Sequence, residues 1–228
     1  ANEITSSLSS EISEAEGIAL APTLVNAVLD ANESYKGKTP EAVSAQLSAM
    51  DEKWKAQAKI TDDERRYIAN PLSQYLQDIL KLRSDKYTEL FVTDEQGALE
   101  GATGKTSDFY QADEDWWNRA FNRGNGRKIA QGLEHDESTQ VKAIAIAVPV
   151  RAPSNNVVIG VLKIVLRADY LFRSINTLRI EGSGYAGLMT KDGELLATSS
   201  ALRTGRVSPN FWRQIINVRK GWTTAVDE

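Results

Sequence analysis

Residues 1–30 carry apolar side chains at helical spacing. These side chains recur every three or four positions and would form one stripe along a helix: Ile4, Leu8, Ile12, Ala15, Ala19, Leu24, Val25, Val28 and Leu29. Pro22 lacks the amide hydrogen that a helix interior needs, so we expect it to kink the helix or split it in two. The pattern predicts a long N-terminal helix, which either packs on its own domain or pairs with a second copy as a dimer-forming spine.

Two further helical stretches come before the period of the pattern changes. The first covers residues 40–58, with Thr39 as an N-cap and a proline at the first helical position. The second covers residues 61–83 and has acidic residues in its first turn. Because the residue before a proline is disfavoured in helical conformation, we expect this helix to bend at Asn70 and Pro71.

From Lys86 the apolar positions follow the period of strands. Four segments contain predicted strands: 86–103, 127–136, 141–151 and 157–175. The first is a hairpin with a glycine in its turn, and the last runs into a helix that starts at Asp169. A turn-rich sequence at 152–156 joins two of the strands. Helices followed by a run of strands predict an α+β fold class.

A weak internal repeat links two hairpins. The sequence "VTDEQGALEGAT" (92–103) aligns with "MTKDGELLATS" (189–199) if one residue is skipped. The two segments lie about 97 residues apart, which indicates two related modules in series. The second module then contains a short helix around 209–216.

The amino-acid composition excludes several kinds of site and partner. The 228 residues include no cysteine and one histidine, His135, which excludes a thiol nucleophile, a disulfide scaffold and a multi-histidine metal site; we expect no metal and no cofactor. The 27 basic residues are scattered and the net charge is −4, which argues against nucleic acid as a partner. The longest apolar runs, 143–150 and 157–166, are too short to span a bilayer, so we expect membrane attachment through flanking segments outside this chain.

The segment "DFYQADEDWWNRAFNRG" (108–124) concentrates the candidate chemistry. On a helix, Trp116 and Trp117 project about 100° apart, so the helix cannot bury both indoles against one sheet face without presenting an indole edge to whatever lies beside it. Aromatic walls with a few carboxylates are typical of a pocket for a ligand that bears a positive or hydrogen-bond-donating group. The candidate ligand-binding residues are Tyr110, Glu114, Trp116, Trp117 and Asp136. The alternative is that Trp116 belongs to the core and Trp117 caps the helix against a loop.

Catalytic interpretations have less support. Glu114 and Asp136 could act as the acid pair of a glycoside hydrolase, but their spacing in the sequence does not define one. With a single histidine, a histidine-based triad has no basis. We therefore predict a protein that is not an enzyme, with a carbohydrate-active hydrolase as the less favoured alternative.

The order of these elements and several segments resemble the double Cache domains, which are extracytoplasmic sensors of bacterial chemoreceptors, histidine kinases and diguanylate cyclases. The resemblance covers most of residues 84–200. The segments that carry it are "LFVTDEQGALEGATGKTSDFYQADEDWWNRAF" (90–121), "GLEHDEST" (132–139), "AIAVPVR" (145–151), "VIGVLKIVL" (158–166) and "GYAGLMTKDGELLATS" (184–199).

The resemblance implies a long N-terminal helix followed by two PAS-like modules, each an antiparallel sheet flanked by helices. Residues 1–83 would form the helical spine and the helices that pack on the distal module. Residues 84–180 would form the membrane-distal, ligand-binding module. Residues 181–228 would form a smaller membrane-proximal module, which either leans on the first or lacks its final strands.

The resemblance also implies where a ligand binds. Trp116 and Trp117 match the aromatic pair that roofs the distal pocket, and Asp136 matches the acid that holds the ligand's ammonium group in amino-acid-binding members. Those members have an arginine two residues before the first aromatic, where this chain has Glu114. Because Glu114 would repel a carboxylate, we expect an amine, an amino-acid-like compound held differently, another small metabolite, or no ligand.

These observations predict the sensor domain of a transmembrane signal-transduction receptor. It would bind a small molecule in the distal module, pass a conformational change along the N-terminal helix and form a homodimer through that helix. We expect it in the periplasmic or extracellular portion of an inner-membrane protein. The alternative is a dimerisation or interaction module that binds no ligand.

Overall fold

The computed structural model describes residues 2–57, 59–135, 142–173, 187–189, 193, 195–198 and 206–215. The chain divides into two compact units, residues 1–168 (unit 1) and 169–228 (unit 2). The division predicted from the sequence, at residues 83 and 180, stays a prediction.

The N-terminal helix is split at Pro22, as predicted. Helix α1 (Asn2–Ala19) and helix α2 (Pro22–Glu33) meet at an angle of 63°, and Pro22 is the first residue of α2. Proline fits this position because the first amide of a helix has no partner within the helix. Taken singly, none of the described helices is long and apolar enough to cross a membrane; α1 from Ser6 onward and α2 reach that length and hydropathy only together, across the bend.

The two helical stretches predicted at 40–58 and 61–83 form two helices with a 3₁₀ turn between them. Helix α3 (Pro40–Ala56) begins after Thr39, whose hydroxyl accepts a hydrogen bond from the Ala42 amide at 3.3 Å. The single bent helix predicted over 61–83 is wrong, because a 3₁₀ turn (Glu64–Tyr67) ends before α4 (Pro71–Leu82) begins. Asn70 starts α4 as an N-cap, since its side-chain oxygen accepts a hydrogen bond from the Ser73 amide at 2.7 Å.

Unit 1 is built on a five-stranded antiparallel sheet in the order β2-β1-β5-β4-β3. The strands are β1 (Tyr87–Asp94), β2 (Leu99–Ala102), β3 (Ile129–His135), β4 (Lys142–Arg151) and β5 (Val158–Arg167). Up to residue 173 the remaining described elements are helix α5 (Asp115–Phe121), a 3₁₀ turn (Asn122–Gly124) and helix α6 (Ala168–Leu171). The predicted α+β fold class is confirmed.

Helices cover both faces of this sheet. Along β5, Gly160 faces α2, where a Cβ would lie 3.0 Å from Val28, while Lys163 faces α5 and lies over the Trp116 ring. Residues separated by an odd number of positions point to opposite faces of a strand, so α2 and α5 lie on opposite sides. The core on the α5 side also includes α3 residues such as Leu47 and Trp54.

Unit 2 contains a second hairpin that matches the first. Strands β6 (Gly187–Met189) and β7 (Leu195–Thr198) pair antiparallel, and α7 (Pro209–Ile215) follows. In each hairpin the pairing register shifts once, and each turn has a glycine at positive φ, Gly97 at 83° and Gly193 at 81°. The two glycines stand 96 residues apart, and the strands align without the skipped residue that the sequence comparison used.

Candidate functional site

Both tryptophans of α5 are buried in unit 1. Trp116 is 3% exposed and Trp117 is 5% exposed. Trp116 meets Phe91 edge-on at 5.7 Å between ring centroids. The Trp117 indole N–H donates to the Thr93 hydroxyl at 2.8 Å, and its ring stacks on Phe121 at 4.6 Å. Burial of both indoles is possible because the sheet supplies a hydrogen-bond acceptor for Trp117.

A lysine from the sheet lies against the same aromatic group. The ammonium of Lys163, on β5, is 4.4 Å from the centroid of the Trp116 ring and 5.3 Å from that of Phe91. A cation over an aromatic face is attracted by the negative potential of the ring. The space beneath α5 therefore has positive charge next to its aromatic side chains.

The other predicted site residues have different surroundings. Tyr110 is half-buried and forms an antiparallel bridge with Ala98, next to β2. Glu114 is the exposed N-cap residue of α5, and partial desolvation, then Asp108 and Asp113, raise the pKa of its carboxyl. Asp136 lies outside the described residues. The segment that leads into and includes α5 holds four of the predicted site residues, Tyr110, Glu114, Trp116 and Trp117. That these four residues line a ligand pocket with Asp136 stays a prediction.

A cavity of about 410 Å³ opens in unit 1 beside strand β2, and we call it the β2 cavity. Its lining comes from the α2–α3 connection, from α3, from the 3₁₀ turn and from β2. The residues that matter here are Tyr35, Met50, Arg66, Tyr67, Glu100 and Phe109. Sequence analysis selected none of them.

Glu100 gives the β2 cavity a carboxyl group in an unusual environment. It is half-buried, and no described residue donates a hydrogen bond to its side chain or forms an ion pair with it. Burial and then the charge of Asp94 raise the pKa of Glu100 to about 8, although Arg66 acts in the opposite direction. Its backbone oxygen accepts a hydrogen bond from the Asn70 side chain at 2.7 Å, which fixes the strand at this point.

Asp94 lies behind the cavity wall and has a full set of hydrogen bonds. Its carboxylate accepts from the Tyr35 hydroxyl at 2.5 Å and from the amides of Gln96 and Ala98 at 2.8 and 2.9 Å. It is completely buried, and this burial raises its pKa to about 6 against the effect of the hydrogen bonds. Asp94 therefore holds the β1–β2 turn and fixes the orientation of the Tyr35 ring.

The aromatic wall of the β2 cavity is a packed cluster. Tyr67 meets Phe109 at 4.8 Å and Trp54 at 6.2 Å, both edge-on. Arg66 stacks over the Tyr67 ring at 4.7 Å and donates to its hydroxyl at 2.6 Å. The wall thus already binds one cationic side chain through a ring face.

A buried ionic network joins α1 to the start of β1. The Lys86 ammonium, 8% exposed, donates to both oxygens of Glu11, at 3.1 and 2.9 Å, and also to Glu14. The Tyr87 hydroxyl donates to Glu11 at 2.9 Å. Displacement of α1 along its axis would have to break these contacts, so α1 and β1 are mechanically coupled.

Among the described residues, no group of three or more His, Cys, Asp or Glu side chains could hold a metal ion.

No protein-family model matches this sequence, and no curated protein sequence matches it either. Solved structures do match. The sensor domain of the Vibrio cholerae histidine kinase DctB aligns with a TM-score of 0.53 and 13% identity, over 91% of this chain and 67% of that one. The ligand-binding domain of the Pseudomonas aeruginosa amino acid chemoreceptor PctB, in complex with L-Arg, aligns at 0.49 with 18% identity over 93% and 72%. The sensory domain of the Campylobacter jejuni chemoreceptor Tlp3 aligns at 0.48 with 11% identity over 93% and 82%. The likeness to DctB shows that this chain has the fold of a histidine-kinase sensor domain, which confirms at the level of the fold the resemblance to the double Cache sensors.

Proposed function

We propose that this chain is the extracytoplasmic sensor domain of a transmembrane signalling receptor and that unit 1 binds a small molecule without transforming it. The observation that carries the proposal is the fold, which aligns with the DctB sensor domain over 91% of the chain. The periplasmic or extracellular location and the membrane-spanning segments outside the chain are parts of the same proposal.

The α5 segment is the proposed ligand site. Tyr110 and Glu114 lie at the start of this segment, and the buried pair Trp116 and Trp117 anchors it to the sheet. Lys163 supplies positive charge beside Trp116, and Asp136 would supply negative charge from the end of β3. A ligand with an amine or another hydrogen-bond-donating group suits Asp136 and Glu114, which is why an α-amino acid held only by its carboxylate is not the expected ligand.

Signal transmission is proposed to run through the N-terminal helices. Lys86, Glu11 and Tyr87 tie α1 to β1, and α2 also packs against β1. A shift of β1 on ligand binding would therefore move α1, and helix shifts of about 1–2 Å are typical of allosteric transitions. We also propose that α1 pairs with its copy in a homodimer, which sedimentation velocity at increasing concentration would detect as a monomer–dimer equilibrium.

A thermal-shift screen tests the ligand proposal. The domain would be heated with amines, amino acids, organic acids and sugars, together with the variants Tyr110→Phe and Asp136→Asn. We expect one class of compound to raise the melting temperature of the wild type, and both variants to lose the shift. Asp62→Asn, an exposed acid of unit 1, is the control and should retain it. The proposal fails if no compound stabilises the domain, or if both site variants respond like the wild type.

A glycoside screen separates the sensor from a hydrolase. We expect no hydrolysis of chromogenic glycosides by the wild type. Hydrolysis that disappears in Glu114→Gln would overturn the non-enzymatic assignment.

A further inference from the structure

The β2 cavity has the size and lining of a small-ligand site, and its residues differ from those of the proposed α5 site. Its volume, about 410 Å³, lies in the range of ligand cavities in proteins. Its lining includes the rings of Tyr35, Tyr67 and Phe109 and the side chain of Met50. Glu100 contributes the carboxyl group that no described residue pairs.

The charges around Glu100 are arranged by depth. Asp94, on β1, lies behind the wall and is completely buried, whereas Arg66 and Lys38 are exposed at the lining. Lys38 donates to Gln46 at 3.0 Å, and Arg66 is held on Tyr67, so both cations already have neutral partners. The negative groups therefore lie inside and the positive groups outside.

We propose that the β2 cavity binds a small organic ammonium ion, with Glu100 as its counter-ion and the rings of Tyr35, Tyr67 and Phe109 as its walls. A carboxyl group that shares a cavity with aromatic rings is a chemical match for an ammonium group, because an ionised carboxylate and ring faces both attract cations and the apolar lining accepts the attached carbon chain. The stacking of Arg66 on Tyr67 at 4.7 Å shows that this wall holds a cation within the protein itself. Such binding goes beyond the α5 site and does not depend on it.

The site would respond to pH. The raised pKa of Glu100, about 8, means that its carboxyl is largely protonated at pH 7 in the empty cavity. A cation binds the ionised form, so affinity for it should increase as the pH rises through 8, by about ten-fold between pH 7 and pH 9. Asp94 has already ionised in this range, since its pKa is about 6, and burial keeps the pKa of Tyr35 and Tyr67 above the ordinary value. Glu100 is therefore the group among these that changes charge.

The two methionines of the chain give a direct test. Met50 lines the β2 cavity in unit 1 and Met189 lies on β6 in unit 2, so methyl labelling with carbon-13 gives one reporter in each unit. The probes are propylammonium and propionate, which have the same length and opposite charge. We expect propylammonium to shift the Met50 methyl signal in a saturable way and to leave Met189 unchanged, while propionate leaves both unchanged.

Matched variants make the result specific. Glu100→Gln should weaken propylammonium binding by about ten-fold or more and abolish its dependence on pH, because the glutamine cannot ionise. Glu95→Gln, which removes a neighbouring acid outside this cavity, should bind as the wild type does. An unshifted Met189 signal confirms that each variant is folded in unit 2, and retained circular dichroism confirms it for the whole domain.

The inference is overturned if propylammonium leaves Met50 unshifted at saturating concentration, or if Glu100→Gln binds it as tightly as the wild type. Tyr110→Phe and Asp136→Asn should not change the Met50 titration. If propylammonium fails to shift Met50 while the thermal-shift screen is positive at α5, the inference about the β2 cavity is wrong and the sensor proposal stands. If Met50 shifts while the screen at α5 is negative, the proposed α5 site is wrong and the inference about the β2 cavity stands.

Discussion

The hairpins of the two units share a backbone and differ in their polar chemistry. In unit 1 the carbonyl of Gly97 accepts a hydrogen bond from the Gln111 amide at 2.8 Å, and in unit 2 the carbonyl of Gly193 accepts one from the Val207 amide at 2.9 Å. Trp116 of α5 likewise corresponds to Trp212 of α7, since each pair of positions is separated by 96 residues. A turn, a returning strand and a helix with a tryptophan in its first turn are thus a repeated unit.

The differences lie at the positions that carry chemistry in unit 1. Leu196 occupies the position of Glu100, Met189 that of Thr93, and Arg213 that of Trp117. The shared residues are those that the backbone requires, such as the two glycines, and the residues that differ are those that line the cavity or satisfy a buried polar group. Positions that are the same in both hairpins are therefore structural, and positions that differ are candidates for function, a distinction that requires no bound ligand.

The largest expected difference concerns the tryptophan in the first turn of each helix. Trp116→Ala should lower the free energy of unfolding of unit 1 by about 3–5 kcal/mol, because a buried indole leaves a cavity. Trp212 is half-buried, so Trp212→Ala should cost unit 2 about 1–2 kcal/mol. Urea unfolding followed by the Met50 and Met189 methyl signals measures both. Equal effects in the two units would show that the aromatic residue has the same role in each.

The second largest difference is expected at the turn glycines, Gly97 and Gly193, in the stability lost when each is replaced by alanine. An alanine at Gly97 would place its Cβ 2.6 Å from the Ala112 Cβ and 2.7 Å from the Ala112 nitrogen, in addition to the strain of positive φ. The same change at Gly193 meets its nearest atom, in Val207, at 3.2 Å. We expect losses of about 2–4 kcal/mol for Gly97→Ala and about 1–2 kcal/mol for Gly193→Ala. Gly104→Ala has open space and an ordinary φ, so as a control it should change stability little.

Glu100 should make unit 1 sensitive to pH. Its folded-state pKa, about 8, lies above that of an exposed glutamate, so the folded form binds a proton that the unfolded form has lost. The stability of unit 1 should therefore fall as the pH rises from 6 to 8.5, by about 2–3 kcal/mol. Glu100→Gln should remove this slope in the Met50 unfolding curves. A slope that persists in the variant would assign it to another group.

The smallest effect is expected at the hydrogen bond beneath α5. Thr93→Val keeps the shape of the side chain and removes the acceptor of the Trp117 N–H, which should cost about 1 kcal/mol. Thr93→Ser retains the hydroxyl and is the matched control. Unit 2 has no counterpart of this pair among its described residues, so the Met189 unfolding curve should be unchanged.

The elements could be predicted from the sequence where the signal is local. Alternation gives the strands, and Thr39 with its following proline gives the start of α3, because caps act over three or four residues. The sequence did not predict the break at Asn70, because Asn before Pro is compatible with a bent helix as well as with an N-cap. In the structure, Asn70 accepts a hydrogen bond from the Ser73 amide and donates one to the backbone oxygen of Glu100, 30 residues further along the chain, and these contacts make it an N-cap.

The candidate sites were less accessible to prediction. The aromatic pair of α5 is visible as a motif, but the hydroxyl that satisfies Trp117 is 24 residues away on another element. The β2 cavity combines residues from Tyr35 to Phe109 that no local pattern connects. One signal was present: Glu100 interrupts the small and apolar residues of β2, where the second hairpin has Leu196.

The strand order also determines how unit 1 can acquire its structure during folding. Strand β1 meets β2 through pairs such as Phe91 and Ala102, 11 residues apart, but it meets β5 through the hydrogen bond between Thr93 and Val161, 68 residues apart. Closing the longer loop costs more chain entropy, and folding rates fall as such distant contacts dominate. The β1–β2 hairpin can therefore form early, while β1 gains its second neighbour only when β5 arrives. Unit 1 should reach its native sheet in a late, concerted step that sets its refolding time.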